Sequence, residues 1–200
     1  MSTASRSSAL GPILIAALIL IGLGGAPSSA AEDPRAFIDR LGNEAVDILD
    51  GSDPVAERQA ALEDLLRRAF DFDTISRLVL GRFWHTATPE QQQAYQEAFA
   101  TFVVQTYARR LADKRIDDFA ITDVRTLSDR DTLVETVIEQ PGEAPTRFGW
   151  RVRRDGDRLK LVDVVVDGVS MVISRRSEFT SVVQREGMDG LIKSLRANIT

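Results

Sequence analysis

The chain has 200 residues, with 25 Lys and Arg against 30 Asp and Glu, a formal net charge of −5, no cysteine and a single histidine. That balance argues against a nucleic-acid partner, which needs a basic surface to neutralise phosphate, and equally against tight docking on anionic headgroups. No zinc cluster can be assembled from one histidine, and without disulfides the fold must be stable through burial alone.

Arg6, an apolar stretch from about Ala9 to Leu23, then Gly24, Gly25, Pro27 and the small residues Ser28 to Ala31 read as a secretory signal peptide over residues 1–31. The stretch is shorter than the about 20 apolar residues of a spanning helix, and Gly11, Pro12, Gly22, Gly24 and Gly25 break it near its ends. Cleavage after Ala30 or Ala31 would leave small residues at the −3 and −1 positions. The expected mature protein is then one domain, residues 32–200, free in solution. Removing Arg6, the only charged residue of the leader, takes the 25 basic residues to 24 against 30 acidic, a net charge of −6. No later segment is apolar and long enough to cross a bilayer, and no cysteine is present to carry a lipid anchor.

Asp33-Pro34 marks a helix start, the carboxylate as N-cap and the proline at the first helical position, with Phe37, Leu41, Val46 and Leu49 at helical spacing and Gly51 as the stop. Asp53-Pro54 repeats the device before the stripe Val55, Leu62, Leu65, Leu66 and Phe70. A short third helix is expected from Asp73, carrying Ile75, Leu78 and Val79 and ending before Gly81. Thr88-Pro89-Glu90-Gln91 joins an N-cap, a proline and a capping-box glutamine. The fourth helix follows, with Tyr95, Phe99, Phe102, Val103, Thr106, Tyr107 and Leu111 expected along one face.

After about Asp118 the period changes from 3.6 to 2. Strand-like runs at Ala120–Thr126, Thr132–Glu139, Thr146–Arg153 and Leu159–Val166 are separated by turn signals at Ser128-Asp129, Pro141-Gly142 and Asp155-Gly156-Asp157. In the third run Phe148, Trp150 and Val152 share one face and Arg147, Gly149, Arg151 and Arg153 the other, as in a half-buried strand. The fourth is apolar on both sides, which predicts burial of both faces. Helical spacing returns at Phe179, Val182 and Val183, breaks at Gly187 and resumes at Leu191, Ile192 and Leu195. Helices, then an antiparallel meander, then helices is an α+β order.

Little catalytic inventory is present. No Gly-x-Ser-x-Gly elbow, phosphate loop or dinucleotide fingerprint occurs in the mature chain, and no cofactor is expected. His85 reads as a hydrogen-bonded residue at a helix boundary. Asp163, between valines, is either a desolvated base, or a carboxylate on an only partly covered face, or one paired with an arginine from a neighbouring strand. Arg109-Arg110 and Arg175-Arg176 read as solvated pairs or as contacts for a phosphate or an acidic partner.

Two separated segments resemble the MlaC family of periplasmic phospholipid-binding proteins, also called the toluene-tolerance family. The first runs through Phe70-Asp71-Phe72-Asp73, Leu80-Gly81-Arg82-Phe83-Trp84 and Ala87-Thr88-Pro89-Glu90-Gln91 to Phe99 and Tyr107. The second is Asp163-Val164-Val165-Val166-Asp167-Gly168-Val169-Ser170-Met171-Val172, then Arg176-Ser177 and Phe179. The sequence departs from the family at Asp167, where a Glu is usual, and at Ser174-Arg175-Arg176, where Asn-Tyr-Arg is usual, so no family role passes to Arg175.

The resemblance implies an α+β fold in which a curved antiparallel sheet of about four strands, similar to that of nuclear-transport-factor-like domains, packs with a multi-helix layer around an apolar pocket. It implies a non-enzymatic periplasmic phospholipid carrier in an ABC transport system that maintains outer-membrane lipid asymmetry. Its partners would be an inner-membrane ABC transporter with an MCE-domain subunit and an outer-membrane lipoprotein–porin complex. At about 0.8 kcal/mol per CH₂, two acyl chains of roughly 30 methylenes cost about 24 kcal/mol in water, so the pocket should reach ~1,000 Å³. Phe83, Trp84, Phe99, Phe102, Val103, Tyr107, Phe148, Trp150, Val164, Val166 and Met171 are expected to line or support it. The rival reading is an isomerase- or dehydratase-like enzyme on the same scaffold, with Asp163 as base and Tyr107 or His85 as acid, in a small pocket holding a carboxylate. An adaptor with a solid core is a third.

Overall fold

The computed structural model describes residues 32–199, so the expected signal peptide lies outside the described residues. Four helices come first: α1 (Pro34–Asp50), α2 (Val55–Ala69), α3 (Phe72–Leu80) and, after a 3₁₀ turn over Gly81–His85, α4 (Pro89–Leu111). Strands β1 (Asp118–Thr126), β2 (Asp131–Glu139), β3 (Thr146–Asp155), β4 (Arg158–Val166) and β5 (Val169–Ser170) follow, and α5 (Met171–Ala197) ends the chain.

The helix starts obey local chemistry. Thr88 Oγ1 accepts the Gln91 backbone N–H at 3.2 Å while Gln91 Oε1 accepts that of Thr88 at 3.2 Å, the reciprocal capping box. Asp71 caps α3 by accepting the Thr74 N–H at 2.9 Å, so this helix begins one residue earlier than expected. At α2 the cap is Pro54 rather than Asp53, and Val55 in the first position is 50% exposed instead of joining the apolar stripe. In α4 the single face predicted from the sequence is too narrow. Val104 and Ala108 are also buried, because this helix packs against α2 and α3 on one side and α5 on another.

The sheet is antiparallel in the order β1-β2-β3-β4-β5 and carries five strands rather than about four. The additional strand exists because Asp167-Gly168, both at positive φ (47° and 86°), form a tight turn that folds Val169 back beside Val166. A register irregularity falls in β1 between Ile121 and Asp123. In β4, Arg151 pairs with Asp163 but Val152 with Leu161, leaving Val162 as the extra residue. Such bulges bend a strand and increase its twist, and they curve the unclosed sheet toward the helices. The second bulge also explains the apolar β4. Leu159, Leu161 and Val162 are buried while Val165, on the outer face, is only half-buried, so the expected burial of both faces is replaced by a local twist. Gly187, at φ +73°, interrupts α5 at the predicted break and lets its C-terminal part turn back onto α4.

Asp131, 4% exposed at the start of β2, organises the outer face. It accepts two hydrogen bonds from Arg151 (3.0 and 2.5 Å) and two from Arg153 (2.7 and 2.8 Å). The Arg153 bonds lower the carboxyl pKa most, burial opposes them, and Arg151 adds to the lowering, leaving it at about 2. A folded pKa below the unfolded value of 3.8 means stability that is complete above pH 4 and lost as pH falls towards 2. Asp131→Asn should therefore cost about 2–3 kcal/mol at pH 7, because two arginines lose their counter-charge. In urea unfolding from pH 5 to pH 2.5, the gap between the wild type and this variant should close. A constant gap would assign the effect to packing.

The apolar core falls into two clusters. Tyr95, Phe99, Phe179 and Leu191 belong to the one built by α3, α4 and α5. Phe37, Leu62, Val134 and Leu161 belong to the one built by α1, α2 and the sheet.

Candidate functional site: an apolar cavity between helices and sheet

Members of both clusters face a cavity of about 490 Å³. Helix α1 brings Ile38, Leu41, Ala45 and Leu49 to it, and α2 brings Leu62, Leu65, Leu66 and Ala69. Phe72, Ile75 and Val79 come from α3, and Phe99, Val103, Tyr107 and Leu111 run down α4. The sheet supplies Phe119, Ile138, Phe148, Trp150, Leu161, Val164 and Val166, and the first turns of α5 supply Met171, Val172 and Arg175. The spacing of 99, 103, 107 and 111 is the i, i+4 row that a helix presents on one side. The sheet residues alternate because the pleat turns every second side chain inward.

The volume is about half of what the sequence led us to expect. The sequence pattern points to α4, the sheet and the aromatic residues as walls, whereas α1 and α2 send eight further apolar side chains into the same space. Gly42 of α1 also borders the cavity. A Cβ there would lie 2.3 Å from the Phe119 ring, so this glycine allows α1 to close against β1.

Of the residues singled out from the sequence, Phe99, Val103, Tyr107, Phe148, Trp150, Val164, Val166 and Met171 are at the cavity. Phe83, Trp84 and Phe102 are not among its walls; they pack against the helical cluster instead. The 3₁₀ turn carries Phe83 and Trp84 to the side of α3 and α5, where the Arg82 and Arg77 guanidinium groups lie over their rings at 5.1 and 5.2 Å. Phe102 is one position from Val103, and the 3.6-residue period turns it away. The residues that sequence reasoning missed are above all those of α1 and α2, with Phe72, Ile75 and Val79 of α3 and Phe119, Ile138 and Leu161 of the sheet beside them. Their stripes were visible, but a stripe does not say whether it meets another side chain or empty space.

Two of the polar groups at the walls, Trp150 and Arg175, are engaged within the protein. The Trp150 indole donates to Thr136 Oγ1 at 2.9 Å, and the ring stacks beside Phe148 with centroids 5.7 Å apart. Arg175 donates to Glu178 at 2.6 Å. Burial opposes its charge, but the nearby Tyr107 hydroxyl and Glu178 carboxylate outweigh burial and raise its pKa.

Asp163 borders the cavity, yet its carboxylate is a structural cap. One oxygen accepts the Ser170 hydroxyl at 2.6 Å and the other the Val172 backbone N–H at 3.1 Å, which fixes the start of α5. No neighbouring arginine holds it. His85 is exposed on the 3₁₀ turn and does not reach the cavity. Of the residues in the enzyme reading, His85 is off the cavity while Asp163 and Tyr107 both border it, and both Asp163 oxygens are already held by the Ser170 hydroxyl and the Val172 N–H. A cavity of this volume also fits a small-molecule site, so it is the engaged carboxylate rather than the size that counts against a base. A solid-cored adaptor is excluded by the cavity itself. Among the described residues there is no group of His, Asp and Glu able to hold a metal ion, and no helix is long and apolar enough to cross a membrane.

A family model described as MlaC protein matches residues 39–197. The intermembrane phospholipid transport system binding protein MlaC of Haemophilus influenzae is 25% identical over 122 residues, 59% of this chain and 57% of that protein. The toluene tolerance protein ttg2D of Pseudomonas putida is 25% identical over 130 residues, 64% of this chain and 60% of that protein. The match thus spans less than two thirds of the length of either relative. A phospholipid-binding protein from Ralstonia solanacearum, solved in complex with a phospholipid, superposes with a TM-score of 0.73 at 26% identity, covering 84% of this chain and 97% of that one.

Proposed function

The chain belongs to the MlaC family, and from that premise we propose that it is a periplasmic phospholipid carrier that shuttles lipid between the outer and inner membranes. The observation that carries this reading is the cavity, whose walls are mostly apolar and whose bordering carboxylate, Asp163, is engaged as a helix cap. The structural neighbour that holds a phospholipid has the same fold over most of this chain. Acyl chains would enter between α4 and the sheet, and the headgroup would remain near solvent. No bond is made or broken in such a cycle, so the protein works by offering apolar burial that water cannot.

The signal peptide over residues 1–31 would deliver residues 32–200 to the periplasm as one lipid-binding domain. Lipid would pass to or from an inner-membrane ABC transporter with an MCE-domain subunit and an outer-membrane lipoprotein–porin complex, preserving outer-membrane lipid asymmetry.

Native mass spectrometry of the mature protein from the periplasm, with organic extraction of what it holds, tests the proposal. A stoichiometric phospholipid is expected, and its chain number will show how far the 490 Å³ space expands on loading. Bare protein, even after incubation with phospholipid vesicles, would overturn it.

A further inference from the structure

The cavity is not uniform along its length. Helix α4 carries Phe99 at its buried end and Arg110 in its exposed last turn, both at the cavity, eleven residues or roughly 16 Å apart. One turn beyond Arg110, Lys114 borders the same space from the turn after the helix, and Gln140 meets it from the end of β2. Lys114 donates to Glu143 at 3.1 Å, which brings the β2–β3 turn against this end. The Arg110 guanidinium and the Gln140 carboxamide have no side-chain partner among the described residues.

Resting on the carrier reading, we propose that Arg110, with Lys114 and Gln140, is a phosphate-receiving rim that holds the headgroup phosphate of the carried lipid. A basic residue in the last turn of a helix is ordinary, since it complements the negative end of the helix dipole. Arg109 already supplies that, and it turns away to the Ile199 carbonyl at 3.4 Å. What sets Arg110 apart is its place at the apolar cavity with its fork of donors uncommitted, a geometry suited to a phosphate diester. Arg175, the other arginine at the walls, is already bound to Glu178. The rim also supplies local positive charge in an acidic protein, which disfavours the reverse insertion of a lipid.

The test loads delipidated mature protein from detergent with phosphatidylglycerol or with diacylglycerol of the same acyl chains, and measures the amount retained. The wild type should retain the phospholipid over the neutral lipid by roughly tenfold, the worth of one charge-assisted hydrogen-bonded contact. Arg110→Glu should abolish that ratio by losing phosphatidylglycerol while keeping diacylglycerol. Arg109→Glu, the same charge change off the cavity, should leave the ratio intact. A wild-type ratio in Arg110→Glu, or an equal loss in Arg109→Glu, would overturn the rim. Excess inorganic phosphate should not remove the preference; if it does, the rim is a free-phosphate site and the headgroup assignment fails. Failure of the carrier reading looks different, because the wild type would then retain neither lipid.

Discussion

Val103→Asp should leave the protein folded and unable to retain lipid, whereas Val104→Asp, one residue along the same helix, should unfold it. Val103 faces the cavity and is half-buried, while Val104 is 0% exposed in packed core. A carboxylate at 103 can be hydrated when the cavity holds water, so the lipid-free fold pays little. Covering it with acyl chains removes that hydration, or forces protonation, at a cost of about 2–4 kcal/mol. Retention should fall by roughly 30- to 1,000-fold. At 104 there is no water to lose to, and the cost lands on folding itself. Circular dichroism melting and lipid extraction on both variants check the pair. Equal unfolding at the two positions would mean that the space beside Val103 is ordinary core and would undermine the site.

Tyr95→Ala should lower stability by about 3–5 kcal/mol. The ring is fully buried, with Phe99 at 5.7 Å and Phe179 edge-on at 6.4 Å, so it joins α4 to α5. Its hydroxyl donates to the Ser76 carbonyl at 3.1 Å and so also reaches α3. Tyr95→Phe keeps the ring and should cost only about 1 kcal/mol, so the difference between the two variants isolates packing from the hydrogen bond. Burial pushes the Tyr95 hydroxyl pKa well above the usual 10. The folded state keeps the proton that the unfolded chain gives up, so this contribution is complete below pH 10 and is lost as pH rises beyond it. Urea unfolding at pH 7 and pH 11 should show the wild type losing more than Tyr95→Phe. An equal loss would place the alkaline sensitivity elsewhere.

How the site was read from the sequence follows the same division between local and distant effects. Val103 and Tyr107 could be placed at the cavity because they share a helical row with Phe99, and Phe148 and Trp150 because they share a strand face. Phe83 and Trp84 resembled the same kind of residue, large and aromatic, but the Gly81–His85 3₁₀ turn directs them elsewhere, and nothing in their spacing announces a five-residue turn. The eight side chains of α1 and α2 are the reverse case, ordinary stripes that meet open space. Asp163 stands out in the sequence for its apolar neighbours, yet its partners, Ser170 and the Val172 N–H, come together only when β5 pairs with β4.

The sequence by itself determined what neighbours within a few residues can decide. Helix ends were set by the Thr88–Gln91 box and Gly187, strands by period two, and the α+β order by the change of period near Asp118. These rest on backbone hydrogen bonding and side-chain direction, both of which are local. Only the tertiary structure decided the bulge at Val162, the Asp131 cluster with Arg151 and Arg153, and the division of the apolar residues into two clusters with a cavity between them. Each depends on distances between residues far apart in the chain. An apolar side chain carries the same pattern whether it faces a neighbour or a void, and only the curvature of the sheet against the helices determines which of the two it meets.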